Sequence, residues 1–346
     1  MEEAKKHIRF KSDLHPLIDK ILADAQFSGS VHIMRDGITI YHQTSGWADY
    51  ENHVPFTDRT TMPIASLSKQ ITAAGIMLLV EQGKLQPDTT IDKFIPDYSY
   101  AKLVTIRHLL NHSSGIMDYT AEILLPDAIK QREKELGREL TSPFEVNKFV
   151  SSLARAYSLE ECLELVNDRP LHFAPGEGTA YSNTNYHFLS DIIERIMDMP
   201  CGEYLSANIF KVLGMEDSHT DGLKADAKAY IRDAGGNILV CGKYALVSGD
   251  SGVISNIKDM ECWCSAILNR KLLRPESWDQ CFHLFQNRFG FGFQKFDQWL
   301  GHNGGMPGIS ARERLHPESK TGIIILSNTT SPGQEVLKNI LECIEL

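Results

Sequence analysis

The spacing of apolar residues near the N-terminus predicts a helix followed by two strands. The helix is expected from Asp13 to Ala25, and two β-rich segments follow in GSVHIMRDGITIYHQTSG, separated by Asp36 and Gly37. An Asp-Gly pair between alternating apolar segments is a strong short-range signal of a β-hairpin. The chain is therefore predicted to begin with a helix and an antiparallel pair of strands.

The period of the apolar positions changes twice more along the chain. From Ser66 to about Lys224 they recur every three or four residues, which is typical of helices. Beyond Gly235, alternation returns in RFGFGFQKF, GISARERLHP and TGIIILSN, and a last amphipathic helix is expected from about Gln334 to Ile344. The order predicts an α+β fold, an α/β sandwich half plus an all-helical half, in which both chain termini build one antiparallel central sheet flanked by helices.

This order also predicts how the chain divides. Residues 1–62 and 228–346 are expected to form the sheet half with the N- and C-terminal helices, and residues 63–227 the helical half. An active site is expected in the cleft between the two halves. The charged segment IKQREKELGREL, at 129–140, is interpreted as a solvated helix face or loop without a functional role.

Composition and charge exclude several classes of function. The 346 residues are 42% hydrophobic, enough for a sizeable core, and carry a formal net charge of −10 without a basic cluster, so nucleic acid is not an expected partner. The start MEEAKKHIRFKSDLHPL lacks the apolar stretch of a signal peptide, and Ala73 to Val80 is too short to span a bilayer. A cytoplasmic protein without a membrane span is expected, with its seven scattered cysteines as reduced, mostly buried thiols.

Candidate chemistry begins in IASLSKQIT, where Ser66 lies three residues before Lys69. At a helix start the two side chains share one face, with roughly 5–6 Å between Cβ atoms, so the amine can reach the hydroxyl. The backbone N–H of Ser66 would serve as one half of an oxyanion hole. Ser68 is only one residue from the lysine and is expected to point elsewhere. Alone, this arrangement is more often that of a serine that only caps a helix.

Several segments then follow in an order that is similar to that of one known superfamily. They are GWAD, MPIASLSKQIT, QGKLQPDTTIDKFIP, VTIRHLLNHSSGI, FAPGEGTAYSNTNY, SGDSGVISNIKDM and LGHNGGMPGIS. With them the chain resembles the serine β-lactamases and penicillin-binding proteins, in the class C β-lactamase-like branch that also holds DD-peptidases, D-aminopeptidases and esterases. Tyr181-Ser182-Asn183 stands as the second active-site box, and His302-Asn303-Gly304 stands where relatives carry Lys-Thr-Gly or His-x-Gly.

The resemblance implies a role for each of these residues. Tyr181 would be a general base or proton relay shared with Lys69, and Asn183 would hydrogen-bond Lys69 and the substrate. The strand with Gly304 and Gly305 would let substrate lie close, and the Gly305 N–H would be the second oxyanion donor. A free phenol, with a pKa of about 10, is a weak base at pH 7. The cation of Lys69, and that of His302 if protonated, are expected to stabilise the phenolate.

Three other strings imitate functional motifs. GDSGV, around Ser251, is similar to the nucleophile box of trypsin-like proteases, but no matching histidine box accompanies it. SKTG at 319–322 spells the third box of the resembled family, yet it lies in a polar turn between two predicted strands. His108 and His112 are four residues apart without the glutamate of a zinc-protease helix. No metal and no cofactor are expected.

The resemblance implies a serine hydrolase that acts through an acyl-enzyme on Ser66. Because His302 replaces the lysine usual in efficient β-lactamases, carboxylic esters or small amides are the leading expectation. The alternative substrates are β-lactams or D-peptides, cleaved by a β-lactamase or by a D-Ala-D-Ala-type peptidase or D-aminopeptidase. A non-catalytic ligand sensor or scaffold is the alternative of another class. Specificity is expected in Ile116 to Ser158 and Phe285 to Phe293.

Overall fold

The computed structural model describes residues 8–153, 155–221, 224–232, 237–241, 249–330 and 333–345. The helices of these ranges are α1 (Leu14–Asp24), α2 (Ser68–Glu81), α3 (Ile106–Leu110), α4 (Leu125–Leu136), α5 (Pro143–Ser152), α6 (Leu159–Val166), α7 (Asn183–Met197), α8 (Cys201–Leu205), α9 (Lys211–Leu213), α10 (Ile257–Leu268), α11 (Pro275–Phe282) and α12 (Gly333–Leu341). The strands are β1 (Arg9–Phe10), β2 (Gly29–Arg35), β3 (Ile38–Ser45), β4 (Trp47–Asp49), β5 (Val54–Pro55), β6 (Met62–Pro63), β7 (Tyr230–Arg232), β8 (Ile238–Val240), β9 (Ile254–Ser255), β10 (Gln294–Phe296), β11 (Trp299–Met306), β12 (Ile309–His316), β13 (Thr321–Ser327) and β14 (Ile344–Glu345).

The main sheet has six antiparallel strands in the order β10-β11-β12-β13-β2-β3. Strand β2 from the start of the chain pairs with β13 from its end, so both termini do build one sheet and the predicted α+β fold is confirmed. The hairpin between β2 and β3 turns at Asp36 and Gly37, with φ of 49° and 77°. Positive φ at both central residues is what a two-residue hairpin turn requires.

Helices cover both faces of this sheet. Val31 and Ile33 of β2 belong to a core shared with α1 and α12, whereas Ile324 and Leu326 of β13 face the larger core that includes α10 and α2. Alternate residues of a strand point to opposite faces, so a strand covered on both sides is apolar at successive positions. This is why the segment IIIL in β13 is an unbroken apolar stretch.

Two predicted elements end at different places in the structure. Helix α12 ends at Leu341 and not at Ile344, because Ile344 and Glu345 leave the helix and pair with β1. In RFGFGFQKF only Gln294–Phe296 is a strand, since the glycines before it turn the chain. At Gly292, with φ of 83°, an added Cβ would lie 2.7 Å from the Gln70 Cα, so the turn packs directly on α2.

The helical middle of the chain follows the predicted period, and its helix α2 is buried along most of its length. The charged segment at 129–140 lies mainly on α4, which has no buried side chain. All seven cysteines are unpaired, and all but Cys262 are buried. None of the helices in the described ranges combines the length and apolarity needed to cross a membrane.

Candidate active site

Ser66 lies in a tight turn between a strand and a buried helix. Strand β6 pairs with β9, and a 3-10 turn over Ala65–Leu67 then leads directly into α2. Ala65, immediately before the serine, has φ of 49°. A left-handed backbone costs a residue with a Cβ about 1–2 kcal/mol, and such strain is concentrated at functional sites. The turn projects the Ser66 hydroxyl from the end of α2 toward the open cavity described below.

The hydroxyl of Ser66 is in hydrogen-bond contact with both residues that sequence reasoning paired with it. The Tyr181 hydroxyl donates to Ser66 Oγ at 2.9 Å, and Lys69 Nζ donates to the same oxygen at 3.2 Å. Tyr181 is 115 residues away along the chain and Lys69 is three. A nucleophilic hydroxyl and the groups that exchange protons with it need this separation of about 2.6–3.2 Å.

Lys69 is fully buried, and each of its ammonium protons has an acceptor. Besides Ser66, Lys69 Nζ donates to Asn183 Oδ1 at 2.8 Å and to the Asp250 carbonyl oxygen at 2.6 Å. The same nitrogen lies 5.0 Å from the centre of the Tyr181 ring. A lysine ammonium has three donors, so this set of three oxygens satisfies it and fixes its position beside the serine.

Asn183 is oriented by a carboxylate that sequence reasoning missed. Asn183 Nδ2 donates to Asp118 Oδ2 and to Thr120 Oγ1, both at 2.9 Å. Asp118 is buried, and its other oxygen accepts from the backbone N–H groups of Thr120 at 2.9 Å and Ala121 at 3.0 Å. Because Asp118 and Thr120 hold the amide nitrogen of Asn183, the amide oxygen on the opposite side faces Lys69. Asp118 follows SSGIM in the sequence, and no motif there indicates its role.

His302 is buried and neutral. Burial, reinforced by the charge of Lys69, lowers the pKa of His302 to about 3. Its Nδ1 lies 2.8 Å from the Asn303 carbonyl oxygen, which can only accept, so Nδ1 carries the proton. The protonation of His302, on which its expected help to a phenolate depended, is therefore not met. Lys69 is the cation that faces the Tyr181 ring.

His112 supports the ring of Tyr181. The two ring centres are 4.5 Å apart, with 35° between the planes. His112 Nδ1 accepts from the Ser182 N–H at 3.2 Å and lies 3.2 Å from Asn185 Nδ2. Burial, followed by the charge of Lys69, holds the pKa of His112 well below its usual range. His112 is thus a neutral acceptor that packs against the phenol, and the described residues contain no cluster suited to a metal ion.

The glycines of β11 lie against the serine turn. A Cβ added to Gly304 would be 2.3 Å from the Ile64 carbonyl oxygen, so only glycine allows this approach of the strand. Gly305 faces open space, and it lines the same cavity as Ser66. The cavity has a volume of about 320 Å³ and also reaches Asn183 and Asp250.

The imitating strings lie in different places. Ser251 lines the cavity, but its hydroxyl donates to its neighbour Asp250 at 2.7 Å. Lys320 is exposed in the turn before β13, with φ of 49°, and its Nζ contacts Asn269. His108 caps α3 through its Nδ1.

A larger groove of about 770 Å³ beside α9 and α10 has none of the predicted site residues in its described lining.

Comparison with known proteins agrees with this arrangement. The sequence profile of the family named Beta-lactamase matches residues 15–342. The chain is 26% identical to penicillin-binding protein 4* of Bacillus subtilis, over 95% of this chain and 74% of that protein. It is 28% identical to a D-aminopeptidase of Brucella anthropi, over 68% of this chain and 41% of that protein. It is 30% identical to esterase EstB of Burkholderia gladioli, over 59% of this chain and 50% of that protein.

Solved structures share the fold. A penicillin-binding protein from Bacillus halodurans superposes with a TM-score of 0.76 and 24% identity, over 94% of this chain and 98% of that one. The D-amino acid amidase of Ochrobactrum anthropi SV3, complexed with L-phenylalanine amide, gives a TM-score of 0.76 and 22% identity, over 96% and 98%. The chain therefore belongs to the β-lactamase family, within the hydrolase superfamily of serine β-lactamases and penicillin-binding proteins.

Proposed function

We propose that the protein hydrolyses small carboxylic esters or amides through an acyl-enzyme formed on Ser66. The observation that carries this proposal is the contact of one hydroxyl with two proton carriers, Tyr181 at 2.9 Å and Lys69 at 3.2 Å. A serine alone is a weak nucleophile and needs an adjacent base, and this pair supplies one.

In the first step Ser66 Oγ bonds to the substrate carbonyl carbon while its proton passes to the Tyr181 oxygen, which accepts it as a phenolate with the Lys69 ammonium as its counter-ion. The carbonyl oxygen becomes an oxyanion, which the backbone N–H groups of Ser66 and Gly305 bind. The bond to the leaving group then breaks, and the same pair returns the proton to that group. A water molecule repeats the sequence on the acyl-enzyme and releases the carboxylic acid. His302 is neutral, so we assign it a positioning role beside Tyr181, with ring centres 5.9 Å apart.

Cleavage of β-lactams or D-peptides is the second candidate. It is favoured by the similarity to a penicillin-binding protein and to a D-aminopeptidase. Both candidates use the same nucleophile and the same acyl-enzyme, so they differ only in what the cavity accepts. A panel of p-nitrophenyl esters, nitrocefin and D-Ala-D-Ala peptides separates them.

We further propose that the chain divides into residues 1–62 with 228–346 and residues 63–227, with the site in the cleft between. Strands β2, β3 and β10 to β13 fall within the first part, and helices α2 to α9 within the second, which supports the division. Ser66 and Lys69 belong to the second part, and Gly305 belongs to the first. In hydrogen exchange followed by mass spectrometry, two cooperative opening units that divide near residues 62 and 228 are the expected result.

The nucleophile is tested by intact mass after incubation with a fluorophosphonate. We expect one adduct per chain, mapped to Ser66 and absent from Ser66→Ala, with kcat/KM for p-nitrophenyl acetate reduced by about 10³-fold or more. Ser251→Ala is the matched control, because this serine lines the same cavity and should label and turn over normally. An adduct on Ser251, or none with any acylating probe, would contradict the proposal and favour a non-catalytic role.

A further inference from the structure

The cavity beside Ser66 has one apolar wall that the catalytic contacts do not use. We define this acyl wall by Leu124, Leu125, Val150 and Leu153, all of which line the cavity. The first two lie where a π-helical turn leads into α4, and the others lie at and just beyond the C-terminal end of α5. The hairpin of α4 and α5 thus leaves the cavity and returns to it.

This hairpin contributes little to the core. Helix α4 has no buried side chain, and in α5 only Ser151 is buried. Leu124 packs against the larger core, whereas Leu125, Val150 and Leu153 are half-buried outside it. Apolar side chains that surround a few polar groups in this way are typical of a ligand pocket. The position of the acyl wall next to Ser66 indicates that it contacts the substrate.

The charged groups of the lining already have partners. Arg155 Nη2 lies 2.9 Å from Glu161 Oε1. Asp250 is buried, and its two carboxylate oxygens accept from the hydroxyls of Ser251 at 2.7 Å and Tyr119 at 3.2 Å. A charged substrate group would lose its hydration without gaining an unpaired counter-ion from these two side chains, which is costly. An uncharged group fits this lining better.

The position of Tyr181 decides which end of the substrate lies here. The leaving group must be within reach of the Tyr181 hydroxyl, which returns the proton to it. Ser66 and Asn183 line the cavity, whereas Tyr181 is not among the described residues that line it. The part of the substrate on the side away from Tyr181 is the acyl group.

We propose, on the basis of the function proposed above, that the acyl wall selects uncharged, apolar acyl groups and that the leaving group has no comparable selection. Each methylene that enters such a pocket is worth about 0.8 kcal/mol, which is about fourfold in kcat/KM. Among p-nitrophenyl esters, butanoate should therefore exceed acetate by about fifteenfold. Acetate esters of alcohols that differ by the same two methylenes should be hydrolysed at nearly equal rates.

The residues are tested by the butanoate-to-acetate ratio, which is independent of the amount of active enzyme. Val150→Asp places a carboxylate in the acyl wall and should reduce the ratio to about two or less. Val212→Asp is the matched control, because Val212 is 62% exposed on α9 and the cavity does not include it among its described lining. Ala121→Trp, at an exposed residue of the lining, should fill the cavity and lower the ratio without changing the core.

The charge argument has its own test, since isobutyryl and D-alanyl p-nitroanilides differ only by a methyl group in place of an ammonium. We expect at least tenfold preference for the isobutyryl compound. Three results would overturn the inference while Ser66-dependent hydrolysis still stood. They are a preference for the D-alanyl compound, equal kcat/KM for acetate and butanoate, or a kcat/KM that rises steeply with the length of the alcohol. Loss of all Ser66-dependent hydrolysis would instead overturn the proposed function.

Discussion

Glu313 is a carboxylic acid enclosed in the core behind the candidate site, and it should make the stability of the protein depend on pH. Its side chain is fully buried on β12, where Oε2 accepts from Gln70 Nε2 and Oε1 has no hydrogen-bond partner among the described residues. Gln70 in turn accepts from Trp263 Nε1 at 2.9 Å. Burial, only partly offset by the Gln70 hydrogen bond and the charge of Arg314, raises the pKa of Glu313 to about 7.

The sign and size of the effect follow from linkage. Between pH 4.5, the ordinary value, and about 7, the unfolded chain has released the Glu313 proton and the folded chain still holds it. The free energy of unfolding therefore falls as the pH rises through this window. Above it, the stabilisation that the folded chain gains from holding the Glu313 proton is wholly lost. The rise in pKa corresponds to about 3 kcal/mol at about 1.4 kcal/mol per pKa unit.

The perturbation is Glu313→Gln, which imitates the protonated acid and cannot titrate. We expect its free energy of unfolding in urea to equal that of the wild type near pH 4.5 and to exceed it by about 3 kcal/mol near pH 8. Glu335→Gln, at an exposed residue in the first turn of α12, is the matched control and should show no such trend. A difference between Glu313→Gln and the wild type that stays constant with pH would refute the reasoning.

Two further predictions concern the site itself. Gly304→Ala should cost about 1–3 kcal/mol of stability and about 10²-fold in kcat/KM, because its Cβ would lie 2.3 Å from the Ile64 carbonyl oxygen. In Gly305→Ala the added Cβ meets open space, so the urea midpoint should stay unchanged. An equal fall in the urea midpoint of both variants would contradict the close contact between Gly304 and Ile64. His302, whose pKa burial lowers to about 3, should remain neutral in nitrogen-15 NMR spectra from pH 8 to 5. A titration of its ring inside that range would show that it is not desolvated.

The sequence by itself determined the elements whose signals are local. The Asp36-Gly37 turn indicated the first hairpin, the alternation in GISARERLHP indicated β12, and the apolar stretch in TGIIILSN indicated β13. Ser66, Lys69 and Tyr181 could also be named as candidates from the sequence, because the boxes that contain them resemble those of a known superfamily. Short-range periodicity and turn chemistry depend only on neighbours along the chain, so they survive in the sequence.

Tertiary structure decided what depends on contacts between distant segments. Asp118 orients Asn183 and the Asp250 carbonyl holds Lys69, although the sequence assigned neither residue a role. The neutrality of His302 and the raised pKa of Glu313 both result from loss of water in the folded core. Desolvation depends on everything packed around a group, most of it remote in the sequence, so protonation states and supporting contacts emerge only when the chain is folded.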